Sequence, residues 1–152
     1  MKQPEIGSEA IRDGRWQALG LLIARVGFGG ALVVRHGYPK IPALLSRPDR
    51  FFDPIGIGPE ASLALAAFAE LVCASLLMLG LLGRLPAIPL VANFAVIVVP
   101  LHRLAVPGDR GELALLYLVA FSTLLLTGPG RYSLGVWLKG RAESSAARSE
   151  AS

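Results

Sequence analysis

The sequence predicts an all-α integral membrane protein: a compact bundle of four transmembrane helices with both termini on the same side. Three observations carry this expectation. Hydrophobic residues make up 53% of the 152 positions. The mean hydropathy is +0.56, too apolar for an ordinary soluble domain of a length that leaves room for one domain. Four segments also approach the roughly 20 mostly apolar residues that a spanning helix needs.

The four segments run over about residues 16–34, 61–82, 86–104 and 112–127. The third contains Pro89 and Pro100 and the fourth is short. Both departures are tolerated in a bundle where neighbouring helices satisfy the freed backbone groups. The expected organisation is a polar N-terminal segment at 1–15, a transmembrane domain at 16–138 and a disordered tail at 139–152. The apolar run after Arg15 is longer than a signal-peptide core and ends without a small-x-small cleavage site, so it is expected to remain as the first helix.

The connections have their own signatures. Arg35 to Glu60 is rich in Pro, Gly and charge yet holds Ile41, Leu44, Leu45, Phe51 and Phe52, the makeup of a short amphipathic turn in the membrane interface. Gly83-Arg84-Leu85-Pro86 is a tight connection whose proline suits the first position of the next helix. Gly128-Pro129-Gly130 stops the fourth helix. From Gly140 onward, Ala, Ser, Arg and Glu dominate, a composition with too little apolar surface to hold a fold.

Lys and Arg set the expected orientation. Lys2, Arg12, Arg15, Arg84, Arg131, Lys139, Arg141 and Arg148 share the side of the termini, against Arg35, Lys40, Arg47, Arg50, Arg103 and Arg110 opposite, which favours both termini in the cytoplasm. The net charge of +4 does not point to nucleic acid, because the basic residues are scattered over termini and loops instead of forming a stripe. The single Cys73 excludes an intrachain disulfide or CxxC chemistry and reads as inert helix packing.

Ionisable residues within the spans are the candidate functional groups. A charge at the bilayer centre costs roughly 2.5 to 3.5 kcal/mol, so such residues face inward and are paired. Arg25 lies midway along the first segment and Glu70 midway along the second, so an antiparallel pair would bring them to one depth as an ion pair. Arg25, Gly29, Leu32 and His36 share one helical stripe, and Glu70 is flanked on its face by the small Ala66, Ala67, Cys73 and Ala74. Two readings stay open: a structural salt bridge that fixes helix register, or a ligand or proton site. With His36, Lys40, His102 and Glu112 at the non-cytoplasmic end, Arg25 and Glu70 would extend a polar track inward. Asn93 reads as an interhelical hydrogen bond.

Other chemistry finds little support. The two histidines are far apart and form no i, i+4 ligand pair, so no metal site is expected. Trp16, Trp137, Tyr38 and Tyr132 lie near helix ends, where belt anchoring explains them. No nucleophile triad, phosphate loop or dinucleotide fingerprint is present, and no catalytic residue is assigned.

Over Ala18 to Leu134 the chain resembles the DoxX family of small bacterial and archaeal membrane proteins. The most specific stretch is Gly111-Glu112-Leu113-Ala114-Leu115-Leu116-Tyr117 followed by the segment from Leu124 to Leu134. Arg25, His36-Gly37-Tyr38-Pro39-Lys40, Glu70, Leu79-Gly80-Leu81-Leu82-Gly83-Arg84 and His102 also resemble the family pattern. Gly135 departs from it, since many members carry an aspartate there. The resemblance implies four transmembrane helices in a bacterial inner membrane, and its functional implication is looser, the family name deriving from a subunit of a thiosulfate:quinone oxidoreductase.

Three functions follow as expectations. The first is an accessory or structural subunit of a larger membrane complex, docking through small-residue faces on other subunits or on a second copy. The second is a quinone-binding subunit of a redox system, with His36 or His102 donating to a carbonyl and no cofactor within the chain itself. The third is a small carrier for a lipid or small acid, with Arg25 as the counter-charge; the absence of an internal repeat argues against it.

Overall fold

The computed structural model describes residues 6–103 and 109–150. Helix α1 covers Ile6–Leu32 and widens into a π turn at Val33–Gly37. A short helix α2, Lys40–Ser46, and a 3₁₀ turn, Pro48–Arg50, lead into a loop over 51–58. Helix α3 (Pro59–Ala67), a π segment (Phe68–Cys73) and α4 (Ala74–Leu79) form one uninterrupted stretch. Helices α5 (Ala87–Arg103), α6 (Asp109–Thr127) and α7 (Leu134–Glu150) follow. No strand occurs among the described residues.

Two stretches are long and apolar enough to cross a membrane, Gly14–Ser46 and Pro59–Leu79, and α5 and α6 contribute the shorter apolar helices Ala87–Val99 and Gly111–Thr127. Their inward faces share one core, in which Leu32, Cys73, Leu77, Leu90 and Phe121 are buried. At its centre Tyr117 of α6 stacks between Phe94, 5.0 Å away, and Phe121, 5.7 Å away, with Phe28 of α1 edge-on at 6.1 Å. Such offset aromatic pairs add about 1 kcal/mol each beyond their buried area. The outward faces carry exposed Ile23, Val34, Leu65, Val72 and Leu126, apolar surface of the kind that lipid solvates.

The antiparallel register of α1 against α3–α4 differs from the one expected. Gly29 packs so closely on α4 that an added Cβ would lie 3.2 Å from the Ala74 carbonyl oxygen. Gly37 packs on Glu70 and Arg25 on Gly80. Arg25 and Glu70 are therefore offset by about ten residues of helix, roughly 15 Å at 1.5 Å per residue, and do not pair. The expectation failed because the end of the first helical stretch, at Gly37, and not its middle packs against Glu70.

Arg25 is buried and its two terminal nitrogens donate to the carbonyl oxygens of Pro129 and Tyr132, beyond the end of α6. A helix end has carbonyls without intrahelical partners, and a cation there also complements the helix dipole. Helix α4 ends alongside. The Gly80 amide donates to Leu77 O and the Leu81 amide to Leu76 O, a Schellman arrangement with Gly80 at φ +69°. A Cβ on Gly80 would lie 2.6 Å from Ser133 Cβ and 2.7 Å from Arg25 Nη1. Three helix ends thus meet on one guanidinium and one glycine.

The segment expected to be a disordered tail forms α7. Its alanines, glutamates and arginines are good helix formers, and Ser133 caps it, the Val136 amide donating to Ser133 Oγ at 3.3 Å. The Gly135 amide donates to the Gly80 carbonyl at 3.3 Å, and a Cβ at Gly135 would lie 2.9 Å from that oxygen. The two backbones meet here where a side chain would hold them apart.

Three outcomes follow for thermal unfolding of the purified protein in detergent. Gly80→Ala should cost about 3 kcal/mol, combining left-handed strain with overpacking. Gly83→Ala has a similar φ of +64° and open space around it, and should cost only about 1 kcal/mol. Arg25→Met should cost about 3 kcal/mol by removing two charge-assisted bonds to the carbonyls of Pro129 and Tyr132.

Candidate ligand-binding site

Glu70 sits in the widened turn of the second helical stretch, its side chain only 4% exposed. An α-helix carrying one π turn displaces the side chains around it, and such turns frequently mark functional positions. The π turn of the first stretch lies directly against it. Its Gly37 is so close that a Cβ would be 2.8 Å from the Glu70 carbonyl oxygen, so the two backbones touch where a side chain would hold them apart.

Beyond that contact the chain turns through Tyr38 and Pro39, and the Tyr38 amide closes the π turn on Val33 O at 2.7 Å. This delivers Lys40, the first residue of α2, onto Glu70. Lys40 Nζ donates to Glu70 Oε2 as an ion pair and to the His36 carbonyl at 3.3 Å. From α5, Asn93 Nδ2 donates to Glu70 Oε1 at 3.1 Å. Each carboxylate oxygen therefore has its own donor, as a buried charge requires. An ammonium has three donors and an amide also has an acceptor oxygen, and both Lys40 and Asn93 line a cavity.

The cavity has a volume of about 430 Å³ and is walled by Phe51, Phe52, Ile55, Leu65, Phe68 and Val96, with Lys40, Glu70 and Asn93 as its charged and amide lining. Of these, Phe52, Ile55, Leu65 and Phe68 are exposed, which gives the mouth an apolar rim. An apolar enclosure of a few hundred Å³ with a few convergent polar groups is the usual form of a small-molecule site.

The loop over 51–58 that forms one wall is held by Asp53. Its carboxylate accepts the Gly56, Ile57 and Gly58 amides at 2.9, 3.3 and 2.7 Å and the Ser62 hydroxyl at 2.8 Å. The Ser62 hydrogen bond, with the Gly58, Gly56 and Ile57 amides, holds the Asp53 carboxyl below the usual carboxylate range, against the opposing effect of desolvation. The loop contact is thus fully present above the ordinary carboxylate range and is lost as pH falls through the lowered value.

Of the predicted polar track, the structure brings Lys40 and Glu70 together and adds Asn93 as a direct partner. His36 contributes its carbonyl to Lys40, while its ring lies edge-on to Tyr117 at 5.8 Å. Arg25 is at the other end of the helices, and Glu112 is exposed at the start of α6. His102 belongs to the last turn of α5, and its side chain lies outside the described residues. Among the described residues no group of three His, Cys, Asp or Glu side chains could hold a metal.

Lys40→Met leaves Glu70 without its cation and should destabilise the fold by about 3 kcal/mol, whereas the isosteric pair Lys40→Met/Glu70→Gln removes both charges and should cost less than the single change. Chemical denaturation of the three proteins in one detergent checks the ordering. Asp53→Ala should raise proteolytic cleavage within 51–58 at neutral pH, and the wild type should approach the same cleavage rate only in acid.

No curated protein and no solved structure matches the chain. The DoxX family model matches residues 20–103, more than half of the chain, and takes in Arg25, Lys40, Glu70 and Asn93. The stretch from Gly111 to Leu134, the most specific part of the resemblance, lies beyond the matched residues. With two helices of membrane-crossing length and a family match over most of its helical body, this chain belongs to the DoxX family and is a membrane protein.

Proposed function

We propose that the protein is a ligand-binding subunit of a larger membrane complex, its cavity taking a small lipophilic molecule whose carbonyl or hydroxyl head meets Lys40, Glu70 and Asn93. In this reading α1, α3–α4, α5 and α6 form a four-helix bundle across a bacterial inner membrane, with both termini in the cytoplasm. A quinone has the required chemistry: a flat apolar body for the aromatic wall and carbonyl acceptors for the ammonium. The observation that carries the reading is the coincidence of a buried, hydrogen-bonded ion pair with an apolar-rimmed cavity. The polar groups sum to no net charge, which suits an uncharged head. Electrons, where the ligand is redox-active, would come from a partner subunit.

The test is binding of a short-chain benzoquinone to the protein in nanodiscs, followed by equilibrium titration. Lys40→Met/Glu70→Gln should weaken binding about tenfold or more, the loss expected for one to two hydrogen bonds to charged groups. Equal affinity in wild type and double variant would refute the site.

An accessory role without a ligand is favoured by a different feature. A groove of about 360 Å³ between α1 and α6 is floored by Ala24, Gly27 and Ala31, and space around Gly27 is open. Small residues facing outward suit close helix association in a membrane. Gentle extraction and purification of the native complex separates the two: recovery with bound quinone supports the first, and a stoichiometric complex without small molecules supports the second.

A further inference from the structure

We propose that α7 is a docking element for an anionic phospholipid surface. Its first two turns place Leu134, Trp137, Leu138 and Arg141 on one face, at steps of three, one and three residues. Leu134, Trp137 and Leu138 are 43%, 53% and 49% exposed, and Val136 on the other side of the helix is exposed too. Arg141 stacks over the Trp137 ring at 4.3 Å, while Lys139 projects from the opposite side of the same turns. An apolar stripe with an indole and a guanidinium upon it matches the boundary between acyl chains and negatively charged headgroups: the indole and leucines enter the boundary and the basic group remains at headgroup level.

Position makes the same argument independently. The Gly135 amide is bonded to the Gly80 carbonyl at the end of α4, and Arg25 holds Tyr132, two residues before α7 begins. The first turn of α7 is therefore fixed at the level where α4 and α6 both end. For a membrane protein that level is the edge of the apolar layer, so the stripe needs no further movement to meet lipid. Charge complementarity selects the occupant, because Arg141 lies on the stripe and Arg131 and Lys139 are close to it in sequence. The inference depends on α4 and α6 ending at one face of the bilayer and on nothing about the cavity.

The experiment uses the full chain with Trp16→Phe, which leaves Trp137 as the sole tryptophan. It is reconstituted in vesicles of phosphatidylcholine, or phosphatidylcholine with one quarter phosphatidylglycerol, each with acyl-brominated lipid as quencher. The expected result is blue-shifted Trp137 emission and markedly greater quenching in the anionic vesicles, with loss of the difference in Lys139→Gln/Arg141→Gln or at high salt. Quenching that is equal in both compositions, or emission that stays water-exposed in both, would overturn the proposal. Because neither Trp16 nor the substituted residues of α7 line the cavity, quinone titration of the same samples reports on the cavity separately.

Discussion

The structure depends on the need of one buried carboxylate for partners. Glu70 lies where an unpaired charge would cost several kcal/mol, and three separate segments supply what it needs: Lys40 from beyond the first helical stretch, Asn93 from α5, and the bare backbone of Gly37, which lets the first come close enough. Meeting that need fixes the length of the first helical stretch, the path of the chain into α2 and the rotation of α5. The cavity is the space left beside this arrangement, closed by the aromatic loop that follows α2.

A second buried charge organises the other end by a different means. Among the described residues Arg25 has no carboxylate partner and is held by carbonyl oxygens, drawing on the partial negative charge where α6 stops. An arginine cannot shed its charge as a carboxyl can, so its site has to be built from permanent dipoles. The division is economical: the titratable group borders the cavity, and the one that stays charged serves the scaffold.

Much of this was legible in the sequence and some of it could not be. The four apolar stretches, the tight Gly83 to Pro86 connection and the stop at Gly128 were readable because each rests on local chemistry. Inward-facing Arg25 and Glu70 were readable from the expense of charge in lipid. Their supposed pairing was wrong because register depends on where helices end, and a π turn leaves no mark in composition. Asn93 was identified as an interhelical hydrogen bond, but its partner required the packing of α5. The helical α7 was missed because an Ala, Glu and Arg composition suits a helix as well as a solvated coil, and only the Ser133 cap and the anchored Gly135 decide between them.

The two widened turns carry a consequence for how this family member can vary. A π turn widens an α-helix locally. Leu63, Ala66 and Ala67 before Glu70 and Cys73, Ala74 and Leu77 after it all face inward, and together with Glu70 they continue one spacing of three and four residues. The widened turn therefore holds the carboxylate without turning either half of the helix out of the core. A residue inserted or deleted there would rotate one half against the other by about 100°, so the carboxylate could not keep its cation while both halves kept their inward faces.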